Sequence, residues 1–166
     1  MLADLGTLAS DPSFQGRIVL VIGENGLDLA RQRGLGPLLK VGNWLGPVLV
    51  AAAEAGVRDL LLLGYHGKLI KLAGGIFHTH HHLADGRLEV LVSLGLDIGL
   101  SADQLLQLRG AASVEEAFQA LGADQSKALG RHLAAMVERR SQSYVARYGD
   151  WSMRVGAAPV SYTHLR

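Results

Sequence analysis

The chain has 166 residues, 49% of them hydrophobic and 19% charged, which suits one soluble domain with a real core rather than a disordered segment. A net charge of +1 gives no basic face for nucleic acid, and an aromatic content of 5% makes a base-stacking platform a poor reading. The absence of cysteine excludes disulfides, thiolate zinc sites and cysteine-held iron–sulfur clusters within this chain and is compatible with a reducing cytoplasm.

Residues Met1–Phe14 read as the tail of a helix; the acidic start, with Asp4 and Asp11, lacks the basic region of a signal peptide. Arg17–Ile22 (RIVLVI) is a β-branched run that predicts a buried strand, turning at Gly23-Glu24-Asn25-Gly26. A helix is expected over Leu27–Arg33, a second strand over Leu38–Val41, and a second helix over Pro47–Ala55. Asp59–Leu63 (DLLLL) is a third strand, apolar throughout and ending at Gly64. No apolar run reaches membrane-spanning length, since Glu54, Arg58 and Asp59 interrupt the longest ones, and no membrane partner is expected.

After Gly64 the pattern becomes helical. Helices are expected to begin near Leu69 and to cover Ala84–Leu94, Ser101–Leu108, Val114–Leu121 and Gln125–Tyr148. Ser101 and Ser113 look like amino-terminal caps, the latter with capping-box spacing to Glu116. Leu129, Leu133, Met136, Val137 and Val145 form a core-packing stripe on the long helix. Met153–Ala157 reads as a last strand. Pro159–Arg166 fits no element and resembles translated sequencing-adapter read-through, so it is expected to be a non-native tail. Repeated units of apolar strand, glycine turn and helix predict an α/β fold: a Rossmann-like, mostly parallel sheet with flanking helices and a long carboxy-terminal helix.

In such sheets ligands bind at the carboxyl ends of the strands, where all three glycine turns fall. At the first turn, Glu24 can accept hydrogen bonds from a ribose, or the turn is plain backbone geometry. In the second turn, Gly42-Asn43-Trp44-Leu45-Gly46, Asn43 can hold a ligand or cap the following helix, and Trp44 can face a flat ligand or the core. The third turn, Gly64-Tyr65-His66-Gly67-Lys68, is followed by Lys71. The two lysines share a helix face and can pair with carboxylates, whereas a plainly solvated helix start would set them against the helix dipole.

His78-Thr79-His80-His81-His82 invites a metal reading, as in a histidine-rich metal-binding or metallohydrolase domain. The chain lacks a zinc-protease motif and any convincing distant ligand set, so proton transfer by a histidine is the better use. Asp85 can cap the next helix, and Arg87 can fork onto a carboxylate or pair locally with Asp85.

Taken together, Gly64, Gly67, Lys68, Leu69, Lys71, Leu72, Ala73 and Gly75, then Phe77, Thr79, His80, Ala84, Asp85 and Arg87, form a pattern. It resembles the CbiD-type cobalt-precorrin-5B C(1)-methyltransferases, and the turns at Gly23-x-Asn25-Gly26 and Gly42-Asn43-x-x-Gly46 extend it. His81 and His82 lie outside the pattern, His78 replaces an amide frequent there, and Ile22-Gly23-Glu24-Asn25 stands where the family usually has Thr-Pro-Gly-Asn. The resemblance implies that residues 1–158 are the carboxy-terminal α/β domain of a two-domain enzyme, without its α+β amino-terminal domain. It implies methyl transfer from S-adenosylmethionine to C-1 of a cobalt-corrinoid ring, giving the 6A intermediate. Cobalt then belongs to the substrate, and no protein-bound metal is expected. Under this reading Gly23, Glu24, Asn25, Gly42 and Asn43 hold S-adenosylmethionine, Lys68, Lys71, Thr79, Asp85 and Arg87 hold the corrinoid, and His66 and His80 handle protons.

Overall fold

The computed structural model describes residues 2–161, apart from the side chain of Asn25. Its elements run in the order α1 (Leu2–Ala9), β1 (Arg17–Ile22), α2 (Glu24–Gln32), β2 (Leu38–Val41), α3 (Leu45–Glu54), β3 (Asp59–Tyr65) and α4 (His66–Ala73). They continue with α5 (Arg87–Asp97), α6 (Ala102–Gly110), α7 (Val114–Gln119), α8 (Ala123–Val145) and β4 (Arg154–Val160). The four strands form one sheet in the order β2-β1-β3-β4, and every pairing is parallel. The expected α/β class, with its parallel sheet, flanking helices and long late helix, is therefore the class observed.

Strand alternation divides the core. Ile18, Leu20 and Ile22 of β1 face the larger cluster with Leu60 and Leu62 of β3, beneath α3, α4 and α8. Val19 and Val21 face the other way, with Leu63, and pack against Leu29 and Ala30 of α2. Among the described residues, α2 is the helix on that second face. The long helix buries Leu129, Leu133, Met136, Val137 and Val145, the stripe expected from its spacing. It also lies along the outer strand, where the Glu138 carboxylate accepts a hydrogen bond from the Ala157 N–H at 3.0 Å.

The chain steps from β1 outward to β2, then returns past β1 to β3 and β4. Its direction across the sheet reverses between β1 and β3, and loops at such a reversal leave on opposite faces and open a crevice at the carboxyl ends. The register puts Val41, Ile22, Gly64 and Pro159 level across the sheet. The turns that follow β1, β2 and β3 therefore share one edge.

Several boundaries differ from the sequence expectation. Gly23, at φ 88°, makes the first turn, so α2 begins at Glu24 rather than Leu27. Gly26 lies inside this helix, where a Cβ would come 2.9 Å from a Val21 methyl; it permits close packing rather than turning. α3 begins at Leu45 because Pro47 is tolerated in a first helical turn. α5 begins at Arg87 because Gly86 is left-handed at φ 60°. The reciprocal capping box forms at Ser101 and Gln104, whereas Ser113 accepts only the Glu116 N–H. Strand β4 runs on through Pro159 and Val160, which pair with Gly64 and Tyr65, so these two residues do belong to an element. The end of the expected tail, residues 162–166, lies outside the described residues.

Leu133 is fully buried in the face of α8 that covers the sheet. Leu133→Ala should cost about 2–5 kcal/mol through lost apolar burial and a residual cavity. A lowered urea midpoint with an unchanged slope would be the readout.

Candidate functional site

A cleft of about 720 Å³ opens on this edge, walled by the second turn, the start of α4, the loop before α5 and the start of α7. It brings together nine residues of the sequence expectation or its loop: Asn43, His66, Gly67, Lys68, Lys71, Thr79, His80, Asp85 and Arg87. Gly23, Glu24 and Gly42 share the sheet edge but do not line the cleft. Glu24 instead forms an ion pair with Lys40. The side chain of Asn25 lies outside the described residues.

Lys71 is the anchor of the cleft wall. It is 3% exposed, and its ammonium donates to the carbonyls of Thr79 at 3.0 Å and Ala84 at 2.8 Å. Burial pulls its pKa below the ordinary lysine value, against the opposing charge of Asp85. The solvated helix start considered from sequence describes Lys68 in the first turn but not Lys71. Lys71 stands in the last turn of α4, where the macrodipole favours a cation, with its side chain turned inward. Lys68 lines the same cleft but is exposed at its rim and has no carboxylate partner among the described residues.

A second set of bonds joins the same loop to the β2–α3 turn. The Thr79 N–H donates to the Asn43 carbonyl at 2.9 Å, and the Thr79 hydroxyl to Asn43 Oδ1 at 3.1 Å. The N–H groups of Leu45 and Gly46 both donate to the Phe77 carbonyl, at 3.0 and 3.1 Å. Asn43 therefore does not cap α3; the loop backbone satisfies that helix start. Trp44 does not enter the core: it is exposed, and its ring meets His78 edge-on at 4.3 Å.

Asp85 is not the N-cap of α5, a position held by Gly86. Its carboxylate takes both arms of Arg87, at 2.5 and 2.9 Å, and this hydrogen bonding holds its pKa below the ordinary range. Arg87 and Lys68 both line the cleft.

His66 opens α4, stacks on Phe118 with ring centres 4.3 Å apart, and places Nδ1 3.7 Å from a Glu115 oxygen. His80 accepts the His82 N–H on Nδ1 at 3.3 Å, which leaves the proton of its neutral ring on Nε2. His80, His81 and His82 stack, with ring centres 4.1–5.1 Å apart. Stacking does not converge their lone pairs, and among the described residues no group of three His, Asp or Glu side chains can hold a metal ion. His81 also lines the cleft. Its pKa lies below the ordinary histidine value, first through the charge of His82 and then through desolvation.

Tyr65, Ser113, Val114 and Glu115 complete the wall and were not singled out as site residues from sequence. Only the packing of α7 against α4 brings Glu115 to His66. Its spacing from Ser113 carried no such signal.

The fold and cleft define an α/β domain of the parallel-sheet class whose ligand edge carries cationic and histidine side chains. Residues 78–164, just over half of the chain, match the family model described as CbiD, C-terminal domain. The chain belongs to the CbiD family. It is 82% identical over 158 residues to the cobalt-precorrin-5B C(1)-methyltransferase of Synechococcus sp. (strain CC9605), a match covering 95% of this chain and 43% of that protein. The enzyme of the same name from Parasynechococcus marenigrum (strain WH8102) is 73% identical over 157 residues, covering 95% of this chain and 44% of that protein. A third, from Prochlorococcus marinus (strain NATL1A), is 51% identical over 153 residues, covering 89% and 40%. The chain thus spans less than half the length of these curated relatives. No solved structure matches it. No helix among the described residues is long and apolar enough to cross a membrane.

Lys71→Met should cost about 1–3 kcal/mol, because the Thr79 and Ala84 carbonyls lose their partner. Amide exchange over residues 78–85 should quicken more than in β1, which would separate a loosened loop from general unfolding. A second expectation concerns pH. The folded chain holds the His81 proton less tightly than an unfolded one, so stability is full above about pH 6.5 and falls as pH drops through the lowered value. His81→Asn should flatten the fall in urea midpoint between about pH 7.5 and 5; an unchanged profile would assign the loss to other groups.

Proposed function

We propose that this chain is the carboxy-terminal α/β domain of a cytoplasmic, S-adenosylmethionine-dependent methyltransferase that methylates C-1 of cobalt-precorrin-5B to give cobalt-precorrin-6A in cobalamin synthesis. Its working partner would be the missing amino-terminal domain. The observation that carries this reading is the cleft with Lys68 and Arg87 at its opening and Lys71 buried in its wall, in a chain so similar to enzymes bearing that name. A corrinoid intermediate carries many carboxylates, which call for lysine and arginine at the rim.

The chemistry fits the groups present. When bound, S-adenosylmethionine supplies an electrophilic methyl on a cationic sulfur. Transfer forms a carbon–carbon bond and breaks a carbon–sulfur bond, whose electron pair remains on sulfur. Alignment and exclusion of water matter more here than a strong acid or base. In this reading Lys68 and Arg87 bind substrate carboxylates, and Asp85 sets the angle of the Arg87 fork. Lys71, Thr79 and Asn43 hold the loop that carries His80. His66 would accept a proton lost from the ring, and His80 could do so only by giving up the bond that its Nδ1 accepts from the His82 N–H. Metal coordination by the protein has no role in it.

Lys68→Ala, assayed in the full-length enzyme, should weaken cobalt-precorrin-5B binding about 10–100-fold, the worth of one charge-assisted contact. The loss should shrink as salt is raised. Unchanged affinity in an absorbance titration would count against the carboxylate role. Asn43→Ala separates scaffold from contact: if Asn43 only fixes the loop, stability falls while S-adenosylmethionine affinity holds.

A further inference from the structure

A second cavity of about 450 Å³ adjoins the cleft, and His66 and Glu115 line both. It lies between α7, the first turns of α8 and the end of β4, on the same carboxyl edge of the sheet. Its wall differs in chemistry from that of the cleft. Phe118, Leu121 and Pro159 give apolar surface, Gln119 an amide and Lys127 a single cation. Glu115 contributes a carboxylate, held by the Ser161 hydroxyl at 2.8 Å.

Charge decides which substrate each space suits. A polycarboxylate acceptor belongs with the cations of the cleft. A sulfonium donor suits it less, because Lys68, Lys71 and Arg87 outnumber the carboxylates there: Asp85 is committed to Arg87, and Glu115 lies on the wall shared with the second cavity. We propose that the second cavity is the methyl-donor subsite, with His66 and Glu115 flanking the junction at which donor and acceptor meet. This rests on the methyltransferase reading above. The apolar wall takes the adenine, Lys127 the amino-acid carboxylate, and Glu115 faces the cationic sulfur. Two adjoining chambers on one sheet edge suit a displacement in which donor and acceptor carbons must come into direct contact at their junction. The assignment departs from the sequence expectation, which placed the donor on the turns at Gly23 and Gly42.

Gly130 offers a direct test. A Cβ there would stand 3.9 Å from the nearest Phe118 ring carbon, so the backbone has room, and a longer side chain would fill the cavity. S-adenosylhomocysteine, a stable probe of the donor site, would be titrated calorimetrically into this chain and its variants. Gly130→Leu and Lys127→Ala should each weaken binding at least about tenfold, while Lys68→Ala leaves it unchanged. Lys127 is exposed, so its variant keeps the test open should Gly130→Leu fail to fold. Wild-type affinity in both variants, or loss in Glu24→Ala instead, would overturn the subsite and leave the methyltransferase reading standing. A wild-type chain that does not bind the probe would also overturn it, and the corrinoid titration of Lys68→Ala would then judge the broader reading separately.

Discussion

The Lys71 ammonium gives two protons to carbonyls five residues apart on one loop, from a position almost sealed from solvent. A charge in that position is costly unless its donors are satisfied, so the loop cannot leave without exposing the full desolvation penalty. The loop in turn supplies the Phe77 carbonyl that completes the start of α3 and the Thr79 groups that hold Asn43. The β2–α3 turn, α4 and the histidine segment are thus joined through one side chain. Such mutual dependence suits a site on a sheet edge, where turns would otherwise move separately.

Much of the scaffold was legible because parallel strands announce themselves. Arg17–Ile22 and Leu38–Val41 have the bounds read from their apolar runs, and Leu129, Leu133 and Val137 face the core as their spacing required. Boundaries failed where glycine had two possible uses. Gly26 was read as a turn and serves as a packing notch, while Gly86 was read inside a helix and starts one. Pro159 was set aside as foreign to the fold, yet it lies in the outermost strand, where a missing N–H is tolerated.

The site was only partly legible, for a different reason. The cluster from Gly64 to Arg87 is local in sequence and local in space, so its members could be named together. What each does depends on burial and on distant partners. Lys68 and Lys71 look alike in a sequence, yet one is exposed at a rim and the other is an internal tie. Thr79 and Asp85 look like ligand contacts and spend their polar atoms on Asn43 and Arg87. Glu115 reaches His66 across nearly fifty residues of chain through helix packing, which no local pattern encodes.

One feature of the sheet bears on how a longer polypeptide can be arranged around it. The Glu138 carboxylate occupies the outward N–H of Ala157, with α8 lying along the same strand. A strand approaching β4 would have to displace that carboxylate and lift a helix whose apolar stripe is the floor of the core. The β4 edge is therefore a poor template for a further strand. A strand contributed by further sequence, or by a second molecule, would meet no such carboxylate at β2 but only four residues of template.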